Sequence, residues 1–235
     1  MNKHSISALL KDNPYPGRGI IIGRSEDNTY AVLLYFIMGR STNSRNRVFE
    51  KTADGIRTKA HDPARLTDPS LVIYNPVRHF NGQTIVTNGD QTDTILKHLQ
   101  SGKSFQDALR TREYEPDAPS YTPRISGLVL PDGSYTLSIL KSASGDPNCC
   151  IRNFFEYSPP IRGLGHFIST YQTDGDPLPS FEGEPIPIAL DISGGLENLA
   201  ESVWGALNEE NKVSLYASKT EISTGNAKDI IINKN

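Results

Sequence analysis

The chain has 235 residues, and its 24 Lys and Arg against 27 Asp and Glu give a net charge of −3. Proteins that bind nucleic acid through its phosphate backbone usually carry a basic surplus, so this balance argues against a nucleic-acid partner. The longest apolar run, at 30–38, is far too short to span a bilayer, which argues against a membrane protein. The length predicts one domain over 1–235.

Cysteine and histidine content argues against a disulfide framework and a metal site. Cys149 and Cys150 are adjacent and are therefore poor disulfide partners. The five His are scattered and there is no CxxC pair, so we expect no bound metal. The start, MNKHSISALLKDNPYPG, has no long apolar core, which predicts no signal peptide. Together these features predict a cytoplasmic protein.

The N-terminal part is rich in predicted strands. Two apolar runs, at 19–24 and 30–39, flank the polar SEDN, which has the length of a hairpin turn. Both runs are apolar on both faces, so we expect strands that are covered on both sides. A second hairpin is predicted between LVIYN at 71–75 and QTIVTN at 83–88, joined through PVRHFNG.

From Thr92 the apolar spacing becomes helical, which predicts a first helix that ends near Ser101-Gly102. Ser104 with Asp107 three residues later is a capping pattern that predicts the start of a second helix. The remaining predicted elements are strands at 124–130, 135–141 and 165–172, an irregular loop at 173–188, a helix at 195–208 and strands at 212–218 and 229–233.

This order of strands, two helices, strands, helix and strands predicts an α+β fold. Doubly covered strands in hairpins need a layer on each face. Two antiparallel sheets packed together, with helices outside, provide those layers and make a four-layer αββα sandwich. A two-layer α+β fold is the simpler alternative.

One polar segment, GRSTNSRNRVF at 39–49, carries three arginines among Ser, Thr and Asn. Guanidinium groups with hydroxyl and amide donors suit a phosphate or another polar anion. From composition alone, a solvated loop is an equally good interpretation.

A second segment, VTNGDQTDT at 86–94, joins a strand end to a helix start. The free N–H groups of a helix start attract anions, and Gly89 allows the backbone to approach a ligand closely. A simple N-cap by Asp90 or Thr92 is the local alternative. The segment lacks the Gly-Lys-Ser/Thr ending of a P-loop and the closing Glu of a calcium loop.

A third segment, REYEPDAPSYTPRISG at 112–127, holds Glu115 in a stretch that three prolines make rigid. A glutamate held in this way can act as a proton acceptor or donor, although surface glutamates are far more common. Tyr74 and Asn75 end an apolar run, and core packing is the ordinary role for such a tyrosine. No Ser-His-Asp pattern or Gly-x-Ser-x-Gly elbow is present.

Taken together, these segments resemble the archaeal-type IMP cyclohydrolase family. The matching pieces are GRGIIIGR, the loop that ends at Asn46-Arg47, NPV preceded by Tyr74, TNGDQTDTI, and YE followed by TPRI. The resemblance covers about residues 17–130 and is most specific in TNGDQTDTI. The loop before Arg47 is about two residues longer than the family pattern, which leaves Arg45 as an alternative to Arg47.

The resemblance implies a fold like that of the N-terminal nucleophile hydrolases, without their terminal nucleophile. It implies an IMP cyclohydrolase, which closes 5-formamidoimidazole-4-carboxamide ribonucleotide to IMP with loss of water in the last step of purine biosynthesis. The expected partner is this small-molecule ribonucleotide, and no metal or cofactor is expected. The apolar runs also leave room for a homo-oligomer interface.

The resemblance also suggests roles for individual residues. Arg47 or Tyr74 would stabilise negative charge on the formyl oxygen, and Glu115 would exchange the proton. The predicted substrate-binding residues are Arg40, Ser41, Asn75, Asn88, Gly89, Thr92, Asp93 and Arg124.

Two alternatives remain open at this stage. The first is a protein of the same fold that binds a purine ribonucleotide but does not turn it over. The second is a different amide hydrolase of the same broad fold. That enzyme needs a nucleophile near the chain start, and Asn2, Ser5 and Ser7 are the candidates.

Overall fold

The structure is a computed structural model that describes residues 4–235, so Asn2 lies outside the described residues. Within this range the chain forms thirteen strands and five α-helices. The helices are α1 (Ile6–Lys11), α2 (Thr42–Arg45), α3 (Gln91–Gln100), α4 (Phe105–Arg110) and α5 (Gly195–Ala206). The strands are β1 (Arg18–Arg24), β2 (Tyr30–Met38), β3 (Arg47–Thr52), β4 (Gly55–Ala60), β5 (Val77–Phe80), β6 (Gln83–Thr87), β7 (Arg124–Val129), β8 (Tyr135–Ala143), β9 (Asp146–Tyr157), β10 (Leu164–Ser169), β11 (Ile186–Ala189), β12 (Lys212–Glu221) and β13 (Ala227–Asn233).

The strands form two antiparallel sheets. The first has six strands in the order β11-β10-β1-β2-β12-β13. The second has seven strands, which follow one another from β3 to β9. β1 and β2 form a hairpin whose register runs from Arg24 opposite Ala31 to Arg18 opposite Ile37, so the first predicted hairpin is confirmed.

Three clusters of buried side chains give the order of the layers. Between the sheets, residues such as Ile20 and Leu33 from the first sheet pack against residues such as Ile125 and Leu137 from the second. On the outer face of the first sheet, the apolar sides of α1 and α5 are buried, with Leu196 fully covered. On the outer face of the second sheet, α3 and α4 pack in the same way. The predicted α+β sandwich, with its αββα layers, is confirmed.

The position of β1 between two layers explains why this strand is apolar on both faces. Ile20 and Ile22 lie in the layer between the sheets, whereas Ile21 lies under the outer helices. Successive side chains of a strand point to opposite faces, so a strand with a layer on each face buries all of them. Each such side chain contributes roughly 1.5–3 kcal/mol to folding.

The predicted strand at 71–75 is wrong. This segment forms turns, and the strand that pairs with β6 is β5, which the prediction treated as a connection. The β5–β6 turn is at Asn81 and Gly82, both with positive φ. Pro76 has no N–H for a ladder, and the carbonyl of Tyr74 accepts a hydrogen bond from the N–H of Thr58 at 2.9 Å.

Several elements were not predicted from the sequence: α1, α2, β3, β4 and β9. β3 and β9 are the edge strands of the second sheet, and β9 has no buried residue. A strand with little buried surface shows little apolar periodicity, which explains the omission of β9. The predicted loop at 173–188 is irregular up to β11, which begins at Ile186. Within residues 4–235, no helix is long and apolar enough to cross a membrane.

The two described nucleophile candidates of the amide-hydrolase alternative lie on α1 or at its start. Ser5 is the N-cap of α1. The hydroxyl of Ser7 lies 2.7 Å from the hydroxyl of Ser202 on α5. Both residues therefore belong to the outer helical layer and not to the layer between the sheets.

Candidate active site

Polar side chains gather at one end of the otherwise apolar layer between the two sheets. Arg18 begins β1 on the same face as Ile20, and Arg47 begins β3 on the same face as Phe49. Arg47 is fully buried and Arg18 is 8% exposed. Buried guanidinium groups are costly unless a partner compensates their charge, so this end of the layer is a candidate site.

Two tyrosine hydroxyls face each other at this end. The hydroxyl oxygens of Tyr35 and Tyr74 are 2.8 Å apart, and both side chains are buried. Burial raises the pKa of Tyr35 well above its ordinary value, so its hydroxyl keeps its proton at neutral pH. The pair uses one of its two protons in the mutual hydrogen bond, which leaves the other available for a ligand.

Arg47 is fixed by backbone carbonyls. Its Nε donates to the carbonyl of Ser44 at 2.7 Å and its Nη2 donates to that of Met38 at 3.4 Å, whereas Nη1 is buried without a partner among the described residues. Burial lowers the pKa of Arg47, yet an arginine remains charged at neutral pH. One N–H group of a fixed cation is thus free to meet a ligand.

The loop before Arg47 explains its position. Ser41 and Ser44 form a reciprocal cap on α2, which holds the Ser44 carbonyl that accepts from Arg47. Arg45 points elsewhere, because its Nη2 donates to Asn211 at 2.9 Å and the residue is exposed. The structure therefore brings Arg47, and not Arg45, between the sheets.

Glu115 is a buried carboxylate with no bonded partner for its charge. It is 2% exposed, and its backbone N–H donates to the carbonyl of Thr122 at 2.9 Å. Within the described residues, no hydrogen bond or ion pair reaches its side chain. Burial raises its pKa from 4.5 to about 7, while the charges of Arg18, Arg124 and more weakly Arg47 act in the opposite direction. A group that titrates near neutral pH can both accept and return a proton.

Sequence reasoning gave no role to Arg18, although GRGIIIGR was part of the resemblance. Its Nε is buried without a partner among the described residues. Burial by itself lowers the pKa of Arg18, but the charge of Glu115 and nearby tyrosine hydroxyls raise it above its ordinary value. The available signal was a charged residue at the start of a strand whose other residues are apolar.

The segment after Glu115 is held by a second group of residues that the sequence did not reveal. The hydroxyls of Thr122 and Tyr171 are 2.5 Å apart, and Asp117 accepts from the Thr122 N–H at 2.7 Å. Tyr171 stacks on Tyr15 with ring centroids 6.0 Å apart. Burial raises the pKa of Tyr171 to about 12, so it is neutral at physiological pH.

Asn88 is occupied by contacts within the protein. Its Oδ1 accepts from the backbone N–H of Ile125 and from Gln91 Nε2, each at 2.9 Å, and its Nδ2 donates to the carbonyl of Pro123 at 2.9 Å. Thr92 Oγ1 lies 2.6 Å from Thr87 Oγ1. These bonds join the end of β6 to α3 and β7, and contact of Asn88 or Thr92 with a ligand stays a prediction.

Asp90 occupies the N-cap position of α3 but makes no side-chain cap. Instead, its carboxylate accepts from Arg112 at 2.6 Å and forms an ion pair with Arg124 at 2.8 Å. These two arginines lower its pKa although partial burial opposes the effect. A Cβ at Gly89 would stand 2.6 Å from Arg124 Nη1 and 3.5 Å from Glu115 Oε1, so a side chain at this position would displace the Arg124 guanidinium.

The remaining predicted binding residues, Arg40, Asn75 and Asp93, make contacts that do not include Glu115. Arg40 is 40% exposed in its side chain, pairs with Asp174 at 2.6 Å and lies over the Tyr15 ring at 5.2 Å. Asn75 donates to Asp93 at 3.3 Å. Within the described residues, no contact links that pair directly to Glu115.

A cavity of about 430 Å³ opens beside Arg124 on the helix side of the second sheet. Its basic lining residues are Arg110, Arg112, Arg124 and Arg152. Guanidinium groups in this number suit a phosphate or another oxyanion. No group of three or more His, Cys, Asp or Glu that could hold a metal ion is found in residues 4–235.

A family model described as "IMP cyclohydrolase-like protein" matches residues 15–225. The chain belongs to this family. The matched range includes Arg18, Arg47, Tyr74 and Glu115, which form the polar end of the layer between the sheets. The family resemblance seen in the sequence motifs is therefore confirmed.

Three archaeal proteins named IMP cyclohydrolase are similar to the chain, each over a different length. The protein named IMP cyclohydrolase from Methanopyrus kandleri is 28% identical over 203 residues, which is 77% of this chain and 96% of that relative. The protein of the same name from Halobacterium salinarum is 32% identical over 132 residues, which is 54% of this chain. In that match the chain spans 63% of the relative's length. The Methanosphaera stadtmanae relative, also named IMP cyclohydrolase, is 31% identical over 130 residues.

Proposed function

We propose that this protein is an IMP cyclohydrolase that closes 5-formamidoimidazole-4-carboxamide ribonucleotide to IMP with loss of water. The observation that carries the proposal is Glu115, a buried carboxylate without a bonded partner that titrates near neutral pH beside Arg47 and Arg18. The name IMP cyclohydrolase, which the relatives carry, supports it.

The reaction asks for positioning and proton transfer. The carboxamide and the formamido group of the substrate are on adjacent ring carbons, so the enzyme must hold the rotamer in which the carboxamide nitrogen faces the formyl carbon. Fixed side chains in the layer between the sheets, such as Arg47 with its two carbonyl acceptors, suit that task. No metal is needed to lower the barrier in this scheme.

Glu115 is assigned the proton exchange. In its ionised form it takes the proton that the carboxamide nitrogen loses as the N–C bond forms. In its protonated form it returns a proton to the departing oxygen, which leaves as water. A pKa of about 7 allows both forms to be populated near neutral pH.

Arg47 and Tyr74 are assigned the role of stabilising the negative charge that develops on the formyl oxygen of the substrate. Arg47 offers a buried Nη1–H without a protein acceptor, and the Tyr35–Tyr74 pair offers one hydroxyl proton. A preorganised donor of this kind contributes roughly 3–4 kcal/mol to transition-state stabilisation in other enzymes.

The substrate phosphate is assigned to the predicted binding residues Arg40, Ser41, Asn88, Gly89, Thr92 and Arg124. Of these, Arg124 has the best support, because it lines the cavity with three further arginines. Asn75 and Asp93 together offer an amide and a carboxylate for hydrogen bonds to the ribose or base. A cytoplasmic location and a homo-oligomeric state belong to the same proposal.

The test is to incubate the purified chain with the formylated ribonucleotide and to follow the appearance of purine absorbance. We expect turnover by the wild type, and its loss in Glu115→Gln and Arg47→Met. Glu201→Gln is a matched control, since Glu201 is an exposed residue of α5, in the outer helical layer. If the folded wild type binds IMP but does not turn over the formylated ribonucleotide, the proposed activity is wrong and the protein is a nucleotide-binding protein.

A further inference from the structure

Arg18 and Glu115 are opposite charges that are buried near each other without touching. Arg18 is 8% exposed and Glu115 is 2% exposed. A short chain of contacts brings them together: the Arg18 N–H donates to Thr170 Oγ1 at 3.1 Å, and the hydroxyl of the next residue, Tyr171, lies 2.5 Å from that of Thr122. The carbonyl of Thr122 accepts from the Glu115 N–H at 2.9 Å. In keeping with this proximity, the charge of each acts on the pKa of the other. Within the described residues, however, the two form no ion pair and no hydrogen bond. Two buried charges held apart are costly for folding, and a polar ligand between them would compensate both.

Of the three guanidinium groups that act on Glu115, Arg18 has the fewest protein contacts. Arg124 is bonded to Gln91 and Asp90, each at 2.8 Å. Arg47 donates to two backbone carbonyls. The Arg18 side chain has no hydrogen-bond acceptor among residues 4–235, and its Nε is buried.

The other charged and titratable groups around this pair are three tyrosines and one aspartate. Three tyrosines lie near Arg18, namely Tyr171, Tyr15 and Tyr74. Each of them raises the pKa of Arg18, as Glu115 does. Asp117 faces Glu115 and opposes its ionisation, but it already accepts from the N–H of Thr122. Arg18 and Glu115 are thus left for a ligand, in addition to Arg47 Nη1 and the free proton of the Tyr35–Tyr74 pair.

We propose that Arg18 is a further catalytic residue, whose guanidinium donates to the carboxamide oxygen of the substrate while Glu115 accepts from the carboxamide N–H. A primary carboxamide offers an acceptor and a donor on one carbon atom. It is therefore complementary to a guanidinium and a carboxylate that face each other across a gap. This inference rests on the proposed function, and it divides the work between the two buried arginines.

The carboxamide nitrogen forms a bond to the formyl carbon, and its proton moves to Glu115. The electron pair of the formyl C=O bond moves to the formyl oxygen, where Arg47 or Tyr74 meets the charge. The Arg18 donor makes the carboxamide N–H more acidic, because it stabilises the charge that spreads to the carboxamide oxygen when the proton leaves. The formyl oxygen takes up two protons, one from the carboxamide nitrogen by way of Glu115 and one equivalent to the proton that the formamido N–H loses. The C–O bond then breaks to release water, and the former formamido nitrogen forms the C=N bond of the ring.

The test compares Arg18→Met, Arg18→Lys and the control Arg24→Met. Arg24 is at the opposite end of β1, also has a buried Nε without a partner, and donates to the carbonyl of Asp132 at 2.9 Å. Arg18→Met is expected to lower kcat roughly 10²–10³-fold, as for removal of one donor to a developing charge. Arg18→Lys keeps the charge but not the planar fork, so its kcat should lie between those of wild type and Arg18→Met. Arg24→Met should turn over like the wild type.

A second measurement separates this inference from the proposed function. In protein with ¹³C-labelled glutamate side chains, the Glu115 carboxyl signal is titrated without substrate, and Glu115→Gln assigns it. Arg18→Met should move the Glu115 midpoint, and the acidic limb of kcat/KM, to higher pH, whereas Arg18→Lys and Arg24→Met should not.

Full kcat in folded Arg18→Met would overturn the catalytic role, even if the Glu115 midpoint moves. If Arg18→Met does not fold, full kcat in Arg18→Lys overturns it. An unchanged midpoint in Arg18→Met would overturn the pairing of the two charges. A wild type without turnover would remove the proposed function, and the carboxamide assignment with it, while the titration would still test the pairing.

Discussion

The hydroxyl oxygens of Tyr35 and Tyr74 lie 2.8 Å apart in the layer between the two sheets, although Tyr35 is in the middle of a strand and Tyr74 is in a turn. Phe49 stacks on the Tyr35 ring with centroids 5.7 Å apart, which fixes that ring. Tyr35 is fully buried, whereas Tyr74 is 7% exposed and is therefore the hydroxyl nearer to solvent. We therefore regard Tyr74 as the donor to the ligand and Tyr35 as the residue that positions it.

This difference predicts unequal effects of removing the two hydroxyls. Tyr74→Phe should lower kcat about 10²-fold, because it removes a donor to the developing charge. Tyr35→Phe should lower kcat about tenfold or less and cost about 1 kcal/mol of folding free energy, because it removes only the hydrogen bond. Steady-state kinetics and urea unfolding measure both, with Tyr30→Phe at the Lys219 contact as control. Equal losses of kcat in the two variants would contradict the division of roles.

Gly89 predicts a second effect, on stability. A Cβ there would stand 2.6 Å from Arg124 Nη1 and 2.7 Å from Gln91 Oε1, both of which are buried and bonded to each other. Gly89→Ala must displace them, so we expect a loss of roughly 1–3 kcal/mol in urea unfolding. It should also raise the pKa of Glu115, since Arg124 moves away.

The matched control for this change has the opposite sign. Gly205 is in α5, and nothing lies within 4 Å of the place where its Cβ would stand. Gly205→Ala should therefore stabilise the protein by about 0.5–1 kcal/mol, as alanine does in a helix interior. If Gly89→Ala were as stable as Gly205→Ala, the close approach at Gly89 would be wrong.

Local signals were sufficient for the elements whose cause is local. Ser104 and Asp107 are three residues apart, and the reciprocal cap that this spacing predicts is present at the start of α4. The opposite case is Asp90, for which the sequence predicted a cap. Its partners, Arg112 and Arg124, come from segments that only the packing of α3, α4 and β7 brings together.

The chemistry of the site depended on such distant contacts. Glu115 could be selected from its proline-rich segment, but its burial and its proximity to Arg18 result from the packing of one sheet on the other. Likewise, the hydrogen bond of Thr58 to Tyr74, which removes 71–75 from the ladder, joins residues that no local pattern connects. The sequence therefore pointed to Glu115, which the structure buries, but not to the guanidinium of Arg18.

Glu115 predicts a dependence of stability on pH. Its pKa is raised from 4.5 to about 7 on folding, so its contribution is fully present below pH 4.5 and is lost as pH rises through 7. At about 1.4 kcal/mol per pKa unit, the loss is roughly 3–4 kcal/mol at pH 8. Glu115→Gln should therefore be more stable than the wild type at pH 8 by about that amount, and similar to it at pH 4. Urea unfolding at the two pH values measures the difference, and equal stability of variant and wild type at pH 8 would contradict the prediction.

His166 predicts a dependence of the opposite sign at the other end of the layer between the sheets. Its ring stacks on Tyr157 with centroids 3.8 Å apart, and its Nδ1 lies 2.6 Å from the Tyr135 hydroxyl. Burial lowers its pKa from 6.5 to about 4. The unfolded chain therefore takes up a proton below pH 6.5 that the folded protein refuses until about pH 4, so stability is lost as pH falls through this window.

The loss attributable to His166 is about 2–3 kcal/mol between pH 7 and pH 4. His166→Gln removes it, so the difference in unfolding free energy between this variant and the wild type should shift in favour of the variant as pH falls. Taking the difference at each pH cancels the contribution of Glu115, because the two sites share no partner. A difference for His166→Gln that stays constant with pH would show that this ring accepts a proton in the folded protein as readily as in the unfolded chain.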